Sequence, residues 1–258
     1  MIIKDQNRLP YTNFQTKQHD IISLLLKFRH LNQTQIQMLL HHKAKERIRT
    51  TLNVLTEEGY IVRSFDREMA GKPARYCIAK KGIAYLYDLN LEPKLLRRLY
   101  NDPTLDEGFK EHCMFIATVY LSLQEIIGRT DATFQFKSNT DMYNIRYLIL
   151  PHPDAYIYIT YPSGEMKQYF LDVFDNRTFI YKRVHLYLRY YKKNYWQYKT
   201  KSSFPEIIFI CPDDATQKSI YSFIQKEASL DAPIFFLTTK KKVLAFGMCP
   251  EVLTKVEI

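Results

Sequence analysis

Residues 45–86 read KERIRTTLNVLTEEGYIVRSFDREMAGKPARYCIAKKGIAYL, and the pattern of this stretch decides the fold of the first part of the chain. Ile48, Leu52 and Leu55 recur at steps of four and three, which lines one side of a helix with apolar groups. Lys45, Arg47, Arg49, Thr50 and Asn53 occupy its other sides. Gly59 is the kind of residue that ends such a helix. IVRSF and ARYCIA then read as two strands around the polar loop DREMAGKP, and KKGIAYLYDL as one more helix. Upstream, QHDIISLLLKFRHL sets Ile21, Ile22, Leu25, Leu26 and Phe28 at helical spacing. A short second helix starts at Thr34, capped by Asn32 or Thr34, with Ile36, Leu39 and Leu40 inward.

Helix, helix, basic helix and a hairpin with a basic tip is the order of a winged helix-turn-helix. GKPARYCIAKKGIAYL resembles the wing and following helix of that family. The resemblance implies that the third helix enters the major groove, where long donors reach base edges, and that the hairpin tip lies on adjacent backbone or minor groove. Lys45, Arg47, Arg49, Thr50 and Asn53, with Lys43 in the turn before them, are the candidates for the groove. Arg67, Lys72 and Arg75 are the candidates for the wing. Such domains usually dimerise, so a homodimer on double-stranded DNA is the expected assembly. The competing reading is ordinary solvated charge on a small helical domain.

Charge placement agrees with the DNA-binding reading. The 258 residues hold 37 Lys+Arg against 27 Asp+Glu, a formal +10. Residues 1–90 carry 15 basic and 8 acidic side chains, and residues 177–201 carry 8 basic and no acidic ones. Positive potential is thus concentrated in two stretches, which points to a polyanionic partner. With 46% hydrophobic residues the chain can bury a core in one large or two modest domains. Several enzyme classes drop out. Seven glycines, no two closer than 11 residues, exclude GxGxxG and the P-loop. Neither GxSxG nor HExxH occurs, and His41 and His42 are adjacent, unlike a relaxase histidine pair. Cys77, Cys113, Cys211 and Cys249 make no CxxC spacing, which suits a reducing cytosol. MIIKDQNRLPYTNFQ lacks an apolar signal core, and no stretch approaches the roughly 18 apolar residues of a membrane span. A cytoplasmic protein without membrane contact is expected.

After DLNLEPKLLRRLYNDPTLDEG, read as a linker over 91–108, the second half begins with the helix FKEHCMFIATVYLSLQEIIG. His112 near its start has no second ligand at metal spacing. TFQFK, DAYIYITY and QYFLDVF follow as strands, with a turn at PSGE. Then come a long helix from about Thr178 to Tyr195, EIIFI, a helix from Ala215 to Lys226, PIFFLTT and KVLAFG, the last read with the strands. The order αβββαβ is similar to the PD-(D/E)XK nuclease core. Pro153-Asp154 at the start of one strand and Asp172 within the next carry that resemblance. It implies that Asp154 and Asp172 are the catalytic and metal-ligating carboxylates of a Mg²⁺-dependent site, with a lysine assisting the attacking water. Phe174 stands where that lysine belongs, Asp175 follows it, and Lys182 or Lys167 would have to take the role. The expected state is a degenerate site without cofactor, in which Asp172 ends a hydrogen-bond network; an active Mg²⁺ site is the alternative.

The winged-helix start, Glu111-His112, HPDAYIYI and FLDVFDNRT together resemble the plasmid replication-relaxation family over nearly the whole chain. That family's segment reads closer to FLEVDRGT, so Asp172 replaces a glutamate and Phe174 is an extra residue. The resemblance implies a bacterial plasmid or mobile-element protein, acting in replication, DNA relaxation or conjugative transfer, with a relaxase or replication protein as a further partner. A metal-dependent nickase and a transcriptional repressor are the alternative roles. In RTFIYKRVHLYLRYYKKNYWQYKTK, Ile180, Val184, Leu188 or Tyr187, Tyr191 and Tyr195 form the expected buried stripe. Lys182, Arg189 and Lys193 share another face and are candidates for DNA backbone, among tyrosines that could stack bases. The expected architecture is mixed α/β (α+β): a winged helix-turn-helix over 1–90, then a restriction-endonuclease-like α/β domain over 109–258.

Overall fold

In the computed structural model, which describes residues 16–65 and 73–258, the apolar steps of the opening stretch become three helices. These are α1 (Thr16–Phe28), α2 (Gln33–Leu39) and α3 (Lys45–Glu57). Ile21, Ile22 and Leu25 of α1, Ile36 of α2, and Ile48, Leu52 and Leu55 of α3 are withdrawn from solvent. Asn32 is the cap of α2: its side chain accepts from Gln35 N, and the Gln35 side chain accepts from Asn32 N, so two orphan donors are satisfied reciprocally. Leu39, the last residue of α2, and Leu40, its C-cap, are expected inward but are only half-buried. Gly59, at φ 78°, closes α3: Gly59 N donates to Thr56 O and Tyr60 N to Leu55 O.

Strands β1 (Leu31–Asn32), β2 (Ile61–Ser64) and β3 (Arg75–Ile78) form an antiparallel sheet in the order β1-β3-β2. Ile61 lies opposite Ile78 and Leu31 opposite Tyr76. Helix α4 (Lys80–Asp88) returns across the hairpin so closely that a Cβ on Gly82 would stand 2.3 Å from the Tyr60 carbonyl oxygen and 2.9 Å from Ile78 Cγ2. Gly82→Ala is expected to lower stability by about 2 kcal/mol in urea unfolding, since overpacking outweighs the gain of about 1 kcal/mol in helix propensity.

Residues 91–108 are not a linker. They form α5 (Pro93–Leu99) and a 3-10 turn (Asp102–Thr104), and they bury Leu96, Leu99 and Asp102. Arg29 holds Asp102 with two nitrogens, and Arg75 pairs with Glu107 and Glu111 at the start of α6 (Glu107–Ile127). The Arg29–Asp102 pair, with Asp102 buried, ties the segment to the end of α1, and the half-exposed Arg75 pairs tie β3 to α6. The chain divides inside α6, into units Met1–Met114 and Phe115–Ile258.

The second unit is a six-stranded mixed sheet in the order β4-β5-β6-β7-β8-β9. Strands β4 (Thr133–Ser138), β5 (Ala155–Thr160) and β6 (Met166–Val173) run antiparallel as a meander. Strands β7 (Glu206–Cys211) and β8 (Phe235–Thr239) continue parallel to β6, and β9 (Thr254–Lys255) is antiparallel at the edge. Parallel neighbours need crossovers. Helices α7 (Ile180–Lys192) and α8 (Tyr195–Thr200) supply one, and α9 (Asp214–Glu227) supplies the other. The helix-strand-strand-strand-helix-strand succession read from the sequence is present, with α8 added before β7. Two details differ. Asn194 at φ 50° ends the long helix early, and KVLAFG lies in helix α10 (Lys240–Phe246), started by Thr239, whose hydroxyl accepts from Lys242 N. Phe170, Tyr187, Phe209 and Phe235 centre the core between sheet and helices. Among the described residues no helix is long and apolar enough to cross a membrane.

Candidate nucleic-acid interface and acidic pair

With Ile48, Leu52 and Leu55 turned inward, the steps of about 100° per residue put Glu46, Thr50, Asn53 and Glu57 on the outermost stripe of α3. Arg47 and Arg49 flank that stripe on opposite sides, about 160° apart. Lys43, Lys45, Arg47, Arg49 and Thr50 are exposed, and Asn53 is half-buried. The structure therefore brings the sequence candidates to one surface, but in ranks: Thr50 and Asn53 on the crest between the carboxylates Glu46 and Glu57, cations on the slopes. Arg49 is ion-paired with Glu46. An exposed pair of this kind contributes only about 0.3–0.5 kcal/mol, so a phosphate can take the guanidinium from it.

The hairpin differs from expectation. Arg67 and Lys72 lie outside the described residues. Arg75 does not face solvent: its side chain is 3% exposed, because β3 is the central strand of its sheet and the guanidinium is held by Glu107 and Glu111. It is a structural residue and not a wing contact. Arg63, exposed on β2 and lying over the exposed Phe65 ring at 4.8 Å, is a cation that the hairpin presents among the described residues. Strand alternation would have put Arg63 on the same face as buried Ile61, so the sequence pattern carried no signal for it.

In the second unit Asp154 and Asp172 do meet. Continuing the β5–β6 register, in which Ala155 lies opposite Leu171, sets Asp154 opposite Asp172. Asp154 Oδ2 accepts from Val173 N at 2.8 Å. Asp172 is buried, and its two oxygens accept from Arg183 Nε at 2.9 Å and Nη2 at 3.0 Å. Tyr187 OH donates to the same carboxylate at 2.7 Å, and Arg183 Nη1 donates to the Pro151 carbonyl at 2.7 Å. Burial pushes the Asp172 carboxyl above its usual range while Arg183 pulls it back. Burial likewise raises the Tyr187 phenol, which stays a donor.

These residues do not fit a divalent metal. Such an ion needs carboxylate oxygens free to bind it, and both oxygens of Asp172 are taken by a guanidinium that carries the positive charge instead. Phe174, at the lysine position, packs its ring on Phe209 at 5.0 Å. Lys167 pairs with Glu165 near the far end of β6, Asp175 pairs with Lys240, and Lys182 is exposed on α7. Among the described residues no group of three or more His, Cys, Asp or Glu could hold a metal ion, His112 included. The sequence reading missed Arg183, although its i,i+4 spacing to Tyr187 on an otherwise apolar face was a usable signal.

Along α7, Lys182, Arg189 and Lys193 are exposed. The buried side comprises Ile180, Arg183, Val184, Tyr187, Leu188 and Tyr190. Tyr191, at the end of α7, is half-buried; Tyr195 is 43% exposed, because left-handed Asn194 turns the chain out of the stripe before it.

A family model described as replication-relaxation matches residues 22–207. No curated protein matches the chain. A solved structure of the restriction endonuclease FokI aligns at 13% identity and a TM-score of 0.31, over 90% of this chain and 44% of that one. The chain thus spans less than half of that endonuclease, and the score is too low to establish a common fold.

Proposed function

The chain belongs to the replication-relaxation family, and from that premise we propose that it is a double-stranded-DNA-binding protein of a plasmid or other mobile element. It serves there as an accessory or regulatory factor in replication, DNA relaxation or conjugative transfer. The observation that carries this reading is the surface of α3. Thr50 and Asn53 lie on its crest between Arg47 and Arg49, with Glu46 and Glu57 toward the two ends, and three helices followed by a hairpin support the winged-helix reading.

Such a crest has the chemistry of groove readout. Asn53 can meet an adenine N6/N7 edge with two hydrogen bonds, and the hydroxyl of Thr50 can serve either base type. Arg47 and Arg49, splayed to the two sides, suit the phosphates that bound the groove and so fix position without reading sequence. A homodimer would offer two such helices, with a relaxase or replication protein as a further partner.

The test uses the full chain and a duplex selected from a random-sequence library, with affinity followed by fluorescence anisotropy over a range of salt. Replacing Arg47 and Arg49 together with alanine is expected to weaken binding to all duplexes and to reduce the slope of log K against log salt by about 1.8. Asn53→Ala is expected to cost about 1–3 kcal/mol on the selected site and little on others. Unchanged affinity in the double variant would remove α3 as the DNA-binding element.

A further inference from the structure

Two adjoining grooves run along the solvent side of α7, of about 590 Å³ and about 390 Å³, and they share Leu186 and Arg189. Their walls supply five cations: Lys182, Arg189 and Lys192 in the first, and Arg146, Arg189 and Lys193 in the second. None of the five is in an ion pair among the described residues, and all five are exposed. The single carboxylate in either lining is Glu227, which stands 3.9 Å from His185. Between the cations the floor of the second groove is apolar, with Leu148 and Leu186, and the Tyr190 ring lies there with its hydroxyl donating to the Tyr147 carbonyl.

Aromatic rings stand at the rim. Tyr195 lines the second groove, and Tyr198, one turn on along α8, is 66% exposed. Lys199 lies within 5.7 Å of the Tyr195 ring and 5.5 Å of the Tyr198 ring, and Lys201 within 4.7 Å of the latter. Had α7 continued, Tyr195 would have stayed on the buried side with Val184 and Leu188. The left-handed backbone at Asn194 puts it at the surface instead.

We propose that this α7–α8 face is a binding site for single-stranded DNA, separate from the duplex reader on α3. A duplex keeps its bases stacked and paired, so it could use the cations but neither the apolar floor nor the exposed rings. A single strand presents phosphates to the first and open base faces to the second. From Lys182 to Lys193 the helix runs about 16 Å, enough to follow several consecutive phosphates.

The test is fluorescence anisotropy of a labelled oligothymidylate of about 12 nucleotides with the full chain, within the range a single-strand site covers. Tyr195→Ala is expected to weaken binding roughly tenfold by loss of stacking, whereas Tyr195→Phe, which keeps the ring, retains wild-type affinity. Arg189→Ala with Lys193→Ala is expected to reduce the slope of log K against log salt by about 1.4. The side chains changed are exposed, and thermal melting checks that each variant is folded. The Arg47→Ala, Arg49→Ala variant should bind the oligonucleotide as the wild type does, so this site and the α3 reading stand or fall separately. The proposal is overturned if the wild type does not bind the oligonucleotide, or if the α7 and α8 changes leave affinity untouched. It is equally overturned if Tyr195→Ala is silent while a blunt duplex competes as well as the single strand, since the face would then be a duplex-backbone contact.

Discussion

Arg183→Ala is expected to destabilise the second unit by about 3–5 kcal/mol, the usual cost of leaving a buried charge without its partner. The guanidinium satisfies both oxygens of Asp172 and the Pro151 carbonyl, and its Nη2 lies 3.3 Å from Tyr187 OH. Removing it strands an acid that burial already pushes toward protonation. Urea unfolding of the variant should show the loss directly. Changing both partners to apolar residues of similar volume, Asp172→Leu with Arg183→Met, should recover much of it, because the desolvation cost of both ions disappears together. Mg²⁺ provides the contrasting measurement. A true metal site would raise Tm with added ion by mass action. Here Mg²⁺ is expected to leave Tm unchanged and supercoiled plasmid intact after deproteinisation. A metal-dependent rise in Tm, abolished by Asp172→Asn, would return the acidic pair to nuclease chemistry.

A second large effect is expected from pH, centred on His30 in the first unit. Its ring is 1% exposed and edge-on to Phe109 at 6.0 Å, and among the described residues neither nitrogen makes a well-formed hydrogen bond, the Asp102 backbone exerting only a weak opposing pull. Burial, with Arg29, Lys110 and Arg75 nearby, lowers its pKa from 6.5 to about 4. The unfolded chain therefore takes up a proton as pH falls through 6.5, while the folded chain resists until about 4. The stability that His30 contributes is complete above the upper value, declines between the two, and levels off below the lower. The total is roughly 3 kcal/mol, at about 1.36 kcal/mol for each pH unit between the two values. Comparing the urea-unfolding free energy of the wild type with that of His30→Phe from pH 7.5 to 4 isolates this residue from the carboxylates. Parallel curves for the two proteins would mean that His30 does not enter the fold as the neutral ring.

Much of the secondary structure could be read directly. The three helices before the hairpin, the ends of α3, the meander β4–β6 and the parallel pair after it follow from apolar periodicity, glycine placement and strand-forming runs. The errors lie where local pattern was silent. Prolines and charges made 91–108 look like a tether, but Leu96 and Leu99 are buried and Arg29 reaches Asp102 from 73 residues away. KVLAFG has the composition of a strand, yet the Thr239 hydroxyl starts a helix there by accepting from Lys242 N. At the candidate sites the α3 surface was legible as a set of residues, while its ranking into crest and flanks needed the direction of the buried side.

What the sequence by itself determined was the order of elements, the inward faces of the helices and the two stretches where positive charge gathers. These depend on spacings of three, four and two residues, which neighbours in the chain set without outside help. Tertiary structure alone decided which charges are available. Arg75 looks like any strand arginine until Glu107 and Glu111 arrive beside it, and Asp172 looks like a metal ligand until Arg183 crosses from α7 to occupy both its oxygens. Whether an ionised side chain faces solvent or is held in an ion pair depends on partners brought up by folding, and the desolvation of the pair, not its spacing in the chain, sets what it can do.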